Sequence, residues 1–242
     1  IEMMKKIIVL GHNGMLGHMV FKVLSKEKNL NVTILNSRFP DWDRSSFDGA
    51  DFVINCIGAI PQKTDNFDIN WELPIWLENN LNTKIIHPST DCEIDKDNYG
   101  ISKKKASEFL LNIGTKTKIL KASIIGPEIN TKASLFEWFL SEEDDVFGYT
   151  NAIWNGVTTY EWAKQCVRLV NDWNSYNKLT ILSTNPISKY QLLNILKEIY
   201  SKDIKIIPMD RGKDKTLNGD IKTKNIELQL KELKNFYENE KN

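Results

Sequence analysis

The chain has 242 residues with 32 Lys and Arg against 32 Asp and Glu, a formal net charge of zero, which argues against attachment to nucleic acid through a broad cationic face. Its 7 Trp, 7 Tyr and 10 Phe are too many apolar anchors for a disordered chain, and no apolar run approaches the roughly 18–20 residues needed to span a bilayer. The three widely spaced cysteines, Cys56, Cys92 and Cys166, have no C-x-x-C spacing, so neither a disulfide framework nor a metal site is expected.

Lys6–Leu10 is a short apolar run ending at Gly11, the pattern of a buried parallel strand. The opening Ile1-Glu2-Met3-Met4-Lys5 has no leader pattern, which predicts a cytoplasmic protein. A helix runs from Gly14 to about Lys28, with Leu16, Val20, Val23 and Leu24 on one stripe. Asn31–Leu35 and Asp51–Ile57 read as strands, Trp71–Leu81 as a helix, and Lys84–His87 as a fourth strand halted by Pro88. Asn98–Asn112 is the next helix and Lys118–Ala122 the fifth strand. Strand and helix alternating every roughly 25–30 residues predict a Rossmann-type, doubly wound parallel α/β sheet over residues 1–122. From Ser123 the pattern loosens into a helix over Thr158–Trp173 capped by Thr158 or Thr159, and a strand at Leu179–Leu182. A helix capped by Ser188 runs to Tyr200, a strand at Ile204–Ile207 stops at Pro208, and a charged helix covers Asn225–Tyr237. Residues 123–242 are expected to complete the core and form a small substrate-binding lobe.

Directly after the first strand comes Gly11-His12-Asn13-Gly14-Met15-Leu16-Gly17, a G-x-x-G-x-x-G. In a dinucleotide site Gly11 permits the tight turn, Gly14 admits a pyrophosphate close to the backbone, and Gly17 lets the helix pack on the sheet. The positive end of the helix dipole then faces the phosphates. After the second strand stand Asn36-Ser37-Arg38, with no acid until Asp41. A carboxylate there would bind the ribose 2′-hydroxyl of NAD, whereas Ser37 and Arg38 suit the 2′-phosphate of NADP. NADPH is therefore the favoured cofactor, with NADH as the alternative. His12 and His18 are read as loop and helix-surface residues, and Trp71, Trp76, Trp162 and Trp173 as packing.

Tyr99-Gly100-Ile101-Ser102-Lys103 opens the helix after the fourth strand, and at this spacing Tyr99 and Lys103 share one face. A phenol titrates near pH ~10 and a neighbouring ammonium would lower that value. Ser89-Thr90-Asp91 follows the fourth strand, at the sheet edge where open α/β folds bind ligands. Thr90 there is placed to hydrogen-bond a substrate carbonyl beside Tyr99. Cys92, with no base nearby, is read as packing, and Cys56 as part of an apolar strand.

Together these motifs resemble the extended short-chain dehydrogenase/reductases, in the branch of dTDP-4-dehydrorhamnose reductase and related nucleotide-sugar reductases. The resemblance is carried by the glycine loop, Asn55-Cys56-Ile57-Gly58, Asn70, Ser89-Thr90-Asp91-Cys92 and Tyr99-Gly100-x-Ser102-Lys103. It continues through Ser123-Ile124-Ile125-Gly126-Pro127-Glu128, the run Asn151 to Thr159, and Pro186-Ile187-Ser188-Lys189-Tyr190, to about Pro208. It implies an NADPH-dependent reduction of a 4-keto-6-deoxy nucleotide sugar in surface-polysaccharide sugar biosynthesis. Tyr99 would donate the proton, Thr90 orient the carbonyl, and Lys103 bind the nicotinamide ribose. Cys56, Ile57, Gly58, Asn70, Ser89, Ser123 and Ile125 would join the glycine loop residues Gly11, Asn13, Gly14, Met15, Leu16 and Gly17 around the dinucleotide. Asp91, Trp138, Trp154 and Asn155 would contact the sugar nucleotide.

The chain departs from the family in the short Thr90–Tyr99 connection, where Glu93-Ile94-Asp95-Lys96-Asp97-Asn98 replaces a longer loop. It also has Lys121 where an arginine is usual. The alternatives are a nucleotide-sugar epimerase or bifunctional epimerase/reductase, for which Cys92 is the candidate extra acid/base, and a non-catalytic NADP-binding regulatory subunit. A homodimer is one option for assembly.

Overall fold

The structure, a computed structural model, describes residues 3–240, so Ile1 and Glu2 of the opening segment and residues 241 and 242 lie outside the described residues. The chain enters through β1 (Lys5–Leu10), the glycine loop and α1 (Met15–Ser25), then β2 (Leu30–Ile34) and β3 (Phe52–Asn55). It continues through α2 (Ile69–Asn80), β4 (Lys84–Ser89), α3 (Asn98–Asn112) and β5 (Thr117–Lys121). The second half begins with β6 (Ile124–Ile125), α4 (Leu135–Ser141), β7 (Val146–Tyr149), β8 (Ile153–Trp154), β9 (Val157–Thr158) and α5 (Thr159–Asn171). It ends with β10 (Leu179–Ser183), β11 (Ile187–Ser188), α6 (Lys189–Ile199), β12 (Ile206–Met209), β13 (Ile221–Lys222) and α7 (Ile226–Asn239).

Seven strands make one parallel sheet in the order β13-β10-β5-β4-β3-β1-β2. This is the doubly wound arrangement that the alternation of strand and helix predicts. Because β2 lies on one side of β1 and β3 on the other, the winding direction reverses there and opens a crevice at the carboxyl ends of the strands. Period-2 alternation explains how so short a set of strands serves two cores. Ile7, Val9, Ile54 and Ile86 face α1, α5 and α7, while Ile8, Leu10, Val53 and Ile85 face Leu73 and Leu77 of α2. Among the described residues no helix is long and apolar enough to cross a membrane.

Three local expectations are corrected. Pro88 does not halt β4, which runs to Ser89 with Pro88 in register opposite Leu120 of β5. The Ile85 amide and the Ser89 carbonyl both bond toward the β5 side, so Pro88, of the opposite parity, turns its missing N–H toward β3. The β3–β4 ladder has already ended at Ile54↔Ile86, and no hydrogen bond is lost. Pro208 likewise lies within β12, in register with Gly148 of β7. His18 is buried rather than on the helix surface, because α7 packs on that side of α1 and places the Tyr237 hydroxyl 3.3 Å from its Nε2. Its Nδ1 lies 2.8 Å from the Gly14 carbonyl.

Beyond β5 the chain does two things. The strands β10 and β13 extend the main sheet, with Leu179 beside Ile119 and Leu182 beside Ile221. The short pairs β6–β9, β8–β11 and β7–β12 lie outside that sheet, with α6 packed on β7, β11 and β12 and with α5 and α7 packed on β9. The helix caps fall as the sequence predicts: Thr158 Oγ1 accepts from the Glu161 amide, and Ser188 and Gln191 form a reciprocal capping box.

Candidate active site

A cleft of about 620 Å³ lies over the carboxyl ends of β1, β3, β4 and β5, a size suited to a large organic ligand. Its walls are the segments that leave those strands: Gly14–Leu16, Cys56–Lys63, Pro88–Cys92 and Ala122–Ile124. The opposite rim comes from the second half of the chain, through Ala152–Trp154, Lys189, Lys213 and Lys215.

The glycine loop fits a dinucleotide. Gly11 sits at φ +82, and a side chain there would press on the Cys56 carbonyl at 2.7 Å. A Cβ on Gly17 would come within 1.9 Å of the Gly11 carbonyl oxygen, so only glycine allows α1 to start this close to β1. Gly14 is different, since a Cβ would meet nothing nearer than 3.4 Å. It is the N-cap of α1, no side chain caps that end, and no acidic residue occupies the first turn. The helix therefore directs free N–H groups and the positive end of its dipole at the cleft that Met15 and Leu16 line. That donor set suits a pyrophosphate.

The sequence places Thr90, Tyr99 and Lys103 at one site, and all three line the cleft. Thr90 begins a single helical turn over Asp91–Ile94, accepting from the Cys92 amide at 3.3 Å and donating to Asp91 Oδ1 at 3.1 Å. Asp97 caps α3 by accepting from the Gly100 amide at 2.7 Å, which fixes Tyr99 in the first turn and Lys103 one turn on. Phe67 packs edge-on against the Tyr99 ring, with centroids 5.5 Å apart. One expectation changes. In the ligand-free chain the phenol is raised above its ordinary pKa, by burial first and then by Cys92, Asp91 and Asp97. Lys103 makes no opposing contribution. Tyr99 is thus held as a protonated acid at neutral pH. The Lys103 ammonium is half-buried and lowered, with burial dominant and Glu93 and Cys92 opposing it. The Cys92 and Cys56 thiols are raised by burial, which leaves both poor nucleophiles.

Of the other residues singled out in the sequence, Gly14, Met15, Leu16, Cys56, Ile57, Gly58, Ser89, Asp91, Ser123 and Trp154 line the cleft. Ile125 lines a smaller adjoining cavity of about 50 Å³. Asn70 stands behind the wall: it bonds both backbone groups of Ala59 at 2.7 and 2.9 Å and donates to Ser102 Oγ at 3.1 Å, which holds the 58–60 segment against α2 and α3. Asn155 is not in the cleft either, because its amide is spent on the Leu217 carbonyl and N–H at 2.8 and 2.9 Å. Trp138, on α4, packs on the core, and Trp154 turns its indole N–H to Ser123 Oγ. Ser37 and Arg38 are exposed past the end of β2, where the Trp42 indole N–H holds the Ser37 carbonyl at 2.9 Å. Asn13 is exposed, and Gly11 and Gly17 act through the backbone packing described above.

A group of lysines escaped the sequence reading. Lys189, Lys213 and Lys215 reach the same rim from residues some hundred positions beyond Thr90. Asp95, from the shortened Thr90–Tyr99 connection, bonds both Lys213 and Lys215 at 2.6 Å. Burial works against the Lys215 charge, but the Asp95 hydrogen bond and the nearby Cys92, Asp95 and Asp91 outweigh it and raise the ammonium. Lys189 is lowered, by burial first. No periodicity or motif marks Lys213 and Lys215, and only the return of the chain beside Asp95 brings them to the cleft; Lys189 lies in the Pro186–Tyr190 run. Among the described residues no group of three or more His, Cys, Asp or Glu is placed to hold a metal ion.

No protein-family model and no curated protein sequence matches the chain. Solved structures do. A dTDP-4-dehydrorhamnose reductase from Clostridium acetobutylicum superposes with a TM-score of 0.74 at 20% identity, over 96% of this chain and 99% of that one. The dTDP-4-dehydrorhamnose reductase from Bacillus anthracis, solved in complex with NADP, gives 0.76 at 13% identity over 97% and 99%. A UDP-N-acetylglucosamine 4-epimerase from Methanobrevibacter ruminantium, in complex with UDP-N-acetylmuramic acid, gives 0.66 at 19% identity over 98% and 99%. At such identities the likeness establishes architecture: over nearly its whole length the chain has the fold of these nucleotide-sugar reductases and epimerases.

Proposed function

We propose that the chain is an NADPH-dependent reductase that acts on the keto group of a nucleotide-linked sugar, with 4-keto-6-deoxyhexoses as the substrate class. One observation carries this reading: Thr90, Tyr99 and Lys103 meet in a cleft whose far wall is the uncapped N-terminus of α1. The Bacillus anthracis neighbour is in complex with NADP, and the glycine loop here leaves room for a pyrophosphate over Gly14. When bound, NADPH supplies the hydride for the carbonyl carbon.

The remaining work falls to side chains of this chain. Met15 and Leu16 would hold the pyrophosphate on backbone N–H groups, with Gly14, whose own N–H is bonded to the Gly11 carbonyl, leaving room for its approach, and Ser37 and Arg38 would receive the 2′-phosphate. The Thr90 hydroxyl, now turned to Asp91, would swing to the substrate carbonyl oxygen. Tyr99 would donate its proton to that oxygen as alkoxide character develops. A phenol kept protonated by burial is in the form that reduction requires, whereas the reverse oxidation would need phenolate. Lys103, which exerts no pull on the phenol in the ligand-free chain, would hold the nicotinamide ribose, the role the resemblance implies for it. Lys189, Lys213 and Lys215 would receive the diphosphate of the sugar nucleotide, exchanging the carboxylate of Asp95 for phosphate oxygens. An epimerase acting at further sugar carbons would need a second base. Cys92 is a weak candidate for that base, since burial keeps its thiol protonated.

The test is NADPH oxidation followed at 340 nm with dTDP-, GDP- and UDP-linked 4-keto-6-deoxy sugars, wild type beside Tyr99→Phe. Turnover with one nucleotide series is expected, and Tyr99→Phe should lower kcat by about a hundredfold or more while NADPH still binds. Undiminished turnover in Tyr99→Phe would remove the phenol from its role, and no turnover of any keto sugar would remove the reductase reading.

A further inference from the structure

The Glu93 carboxylate has no part in the chemistry just described, yet three elements of the fold converge on it. It lies in the helical turn between Thr90 and Tyr99, with its side chain only 12% exposed. Ser89 Oγ at the end of β4 and Ser107 Oγ on α3 both donate to its Oε1. Lys121 Nζ, from the end of β5, stands 3.3 Å from its Oε2. Tyr99, Lys103 and Ser107 follow one another at four-residue intervals and form a single stripe on α3. Helical side chains lean toward the N-terminus, so Ser107, which holds the carboxylate, points back along the stripe toward Lys103.

The surroundings of Lys103 single out Glu93. From β4, His87 is buried at 2% exposure with neither ring nitrogen hydrogen-bonded to the protein. Burial and the Lys103 charge keep its imidazole neutral. From its own helix Tyr99 faces the site as a neutral phenol. From the helical turn Cys92 and Glu93 oppose the loss of the ammonium charge, and burial keeps the Cys92 thiol protonated. Glu93 is the carboxylate of the set, and its other oxygen is paired with Lys121.

We propose that Glu93 is a positioning residue, held by Ser89, Ser107 and Lys121 so that the Lys103 ammonium stays charged and directed into the cleft beside Tyr99. The proposal rests on Lys103 belonging to the reductase site, but its first test needs no turnover. In a chain carrying ¹³Cε-lysine, the Lys103 signal is assigned by its loss in Lys103→Met and titrated by NMR. Glu93→Gln keeps an acceptor for both serines and removes only the charge. It should lower the Lys103 midpoint by about one pH unit. Lys121→Gln removes the cation paired with Glu93 and should move the midpoint up. A pair that serves only to pin the turn on β5 predicts no movement in either variant, or movement in the same direction in both, and either result overturns the proposal. If Glu93→Gln fails to fold, the upward shift in Lys121→Gln decides alone. In turnover assays the alkaline limb of kcat/KM should follow the same two directions. A chain that reduces no keto sugar but shows both NMR shifts would refute the reductase reading and leave the Glu93 assignment standing.

Discussion

The glycine loop separates two roles that one motif usually blurs, and paired substitutions can measure them. In Gly17→Ala the new methyl would sit 1.9 Å from the Gly11 carbonyl oxygen, 2.5 Å from its carbon and 3.1 Å from the His12 nitrogen. All three are backbone atoms of a turn locked at φ +82, so relief requires α1 to slide away from β1. Overpacking against rigid atoms costs about 3 kcal/mol, the upper part of its usual range. Alanine returns about 1 kcal/mol of helix propensity. The net loss is about 2 kcal/mol, a fall of roughly 4–8 °C in Tm for a chain of this size. In Gly14→Ala the methyl meets the Gly11 oxygen at 3.4 Å and otherwise points into the cleft. The cost to stability is about 0.5 kcal/mol for a poorer N-cap residue, while the close approach of a pyrophosphate is blocked. Thermal unfolding with and without NADPH, read beside NADPH fluorescence titration, tests both. Gly17→Ala should melt early. Gly14→Ala should melt near wild type but gain little from NADPH. If Gly14→Ala binds NADPH as wild type does, the phosphates do not lie over this backbone.

Arg38→Ala should leave Tm unchanged, because the side chain is exposed with no ion pair among the described residues, and should weaken NADPH about tenfold with little effect on NADH; equal losses would show that Arg38 does not read the 2′-phosphate. His87 gives a pH dependence of stability. Its folded pKa lies well below 6.5, so between the two values the unfolded chain binds more protons. Stability is therefore full above pH ~6.5 and falls as pH drops, by up to roughly 1.4 kcal/mol per unit. Urea unfolding at pH 7.5, 6.5 and 5.5 should show a shallower loss in His87→Leu, with His18, also lowered by burial, supplying the remainder; an unchanged slope would refute this. Asn155→Ala strips the Leu217 N–H and carbonyl of their partners and should cost about 1–3 kcal/mol in denaturant unfolding. Because that contact anchors the segment bearing Lys213 and Lys215, it should also raise KM for the sugar nucleotide, and a KM equal to wild type would separate the lysines from substrate binding.

What the sequence alone determined was whatever is written locally. The central strands β1 and β3 carry apolar runs because both faces of the sheet are buried there, and α3 begins and ends at Asn98 and Asn112 as the pattern predicts, with Asp97 as its cap. The strand–glycine–helix spacing and the four-residue step from Tyr99 to Lys103 were legible for the same reason: the chemistry and the backbone geometry share one short segment. Tertiary structure decided what depends on neighbours from elsewhere in the chain. Strands of two to four residues such as β6, β8 and β9 have no periodicity to read. Pro88 stays in β4 only because its neighbour β3 has already ended, and His18 is buried only because α7 returns to cover it. The protonation of Tyr99 and the roles of Asp95, Lys213, Lys215 and Glu93 were equally hidden. Electrostatic partnership falls off over a few ångströms in space while those residues stand up to 120 positions apart in sequence.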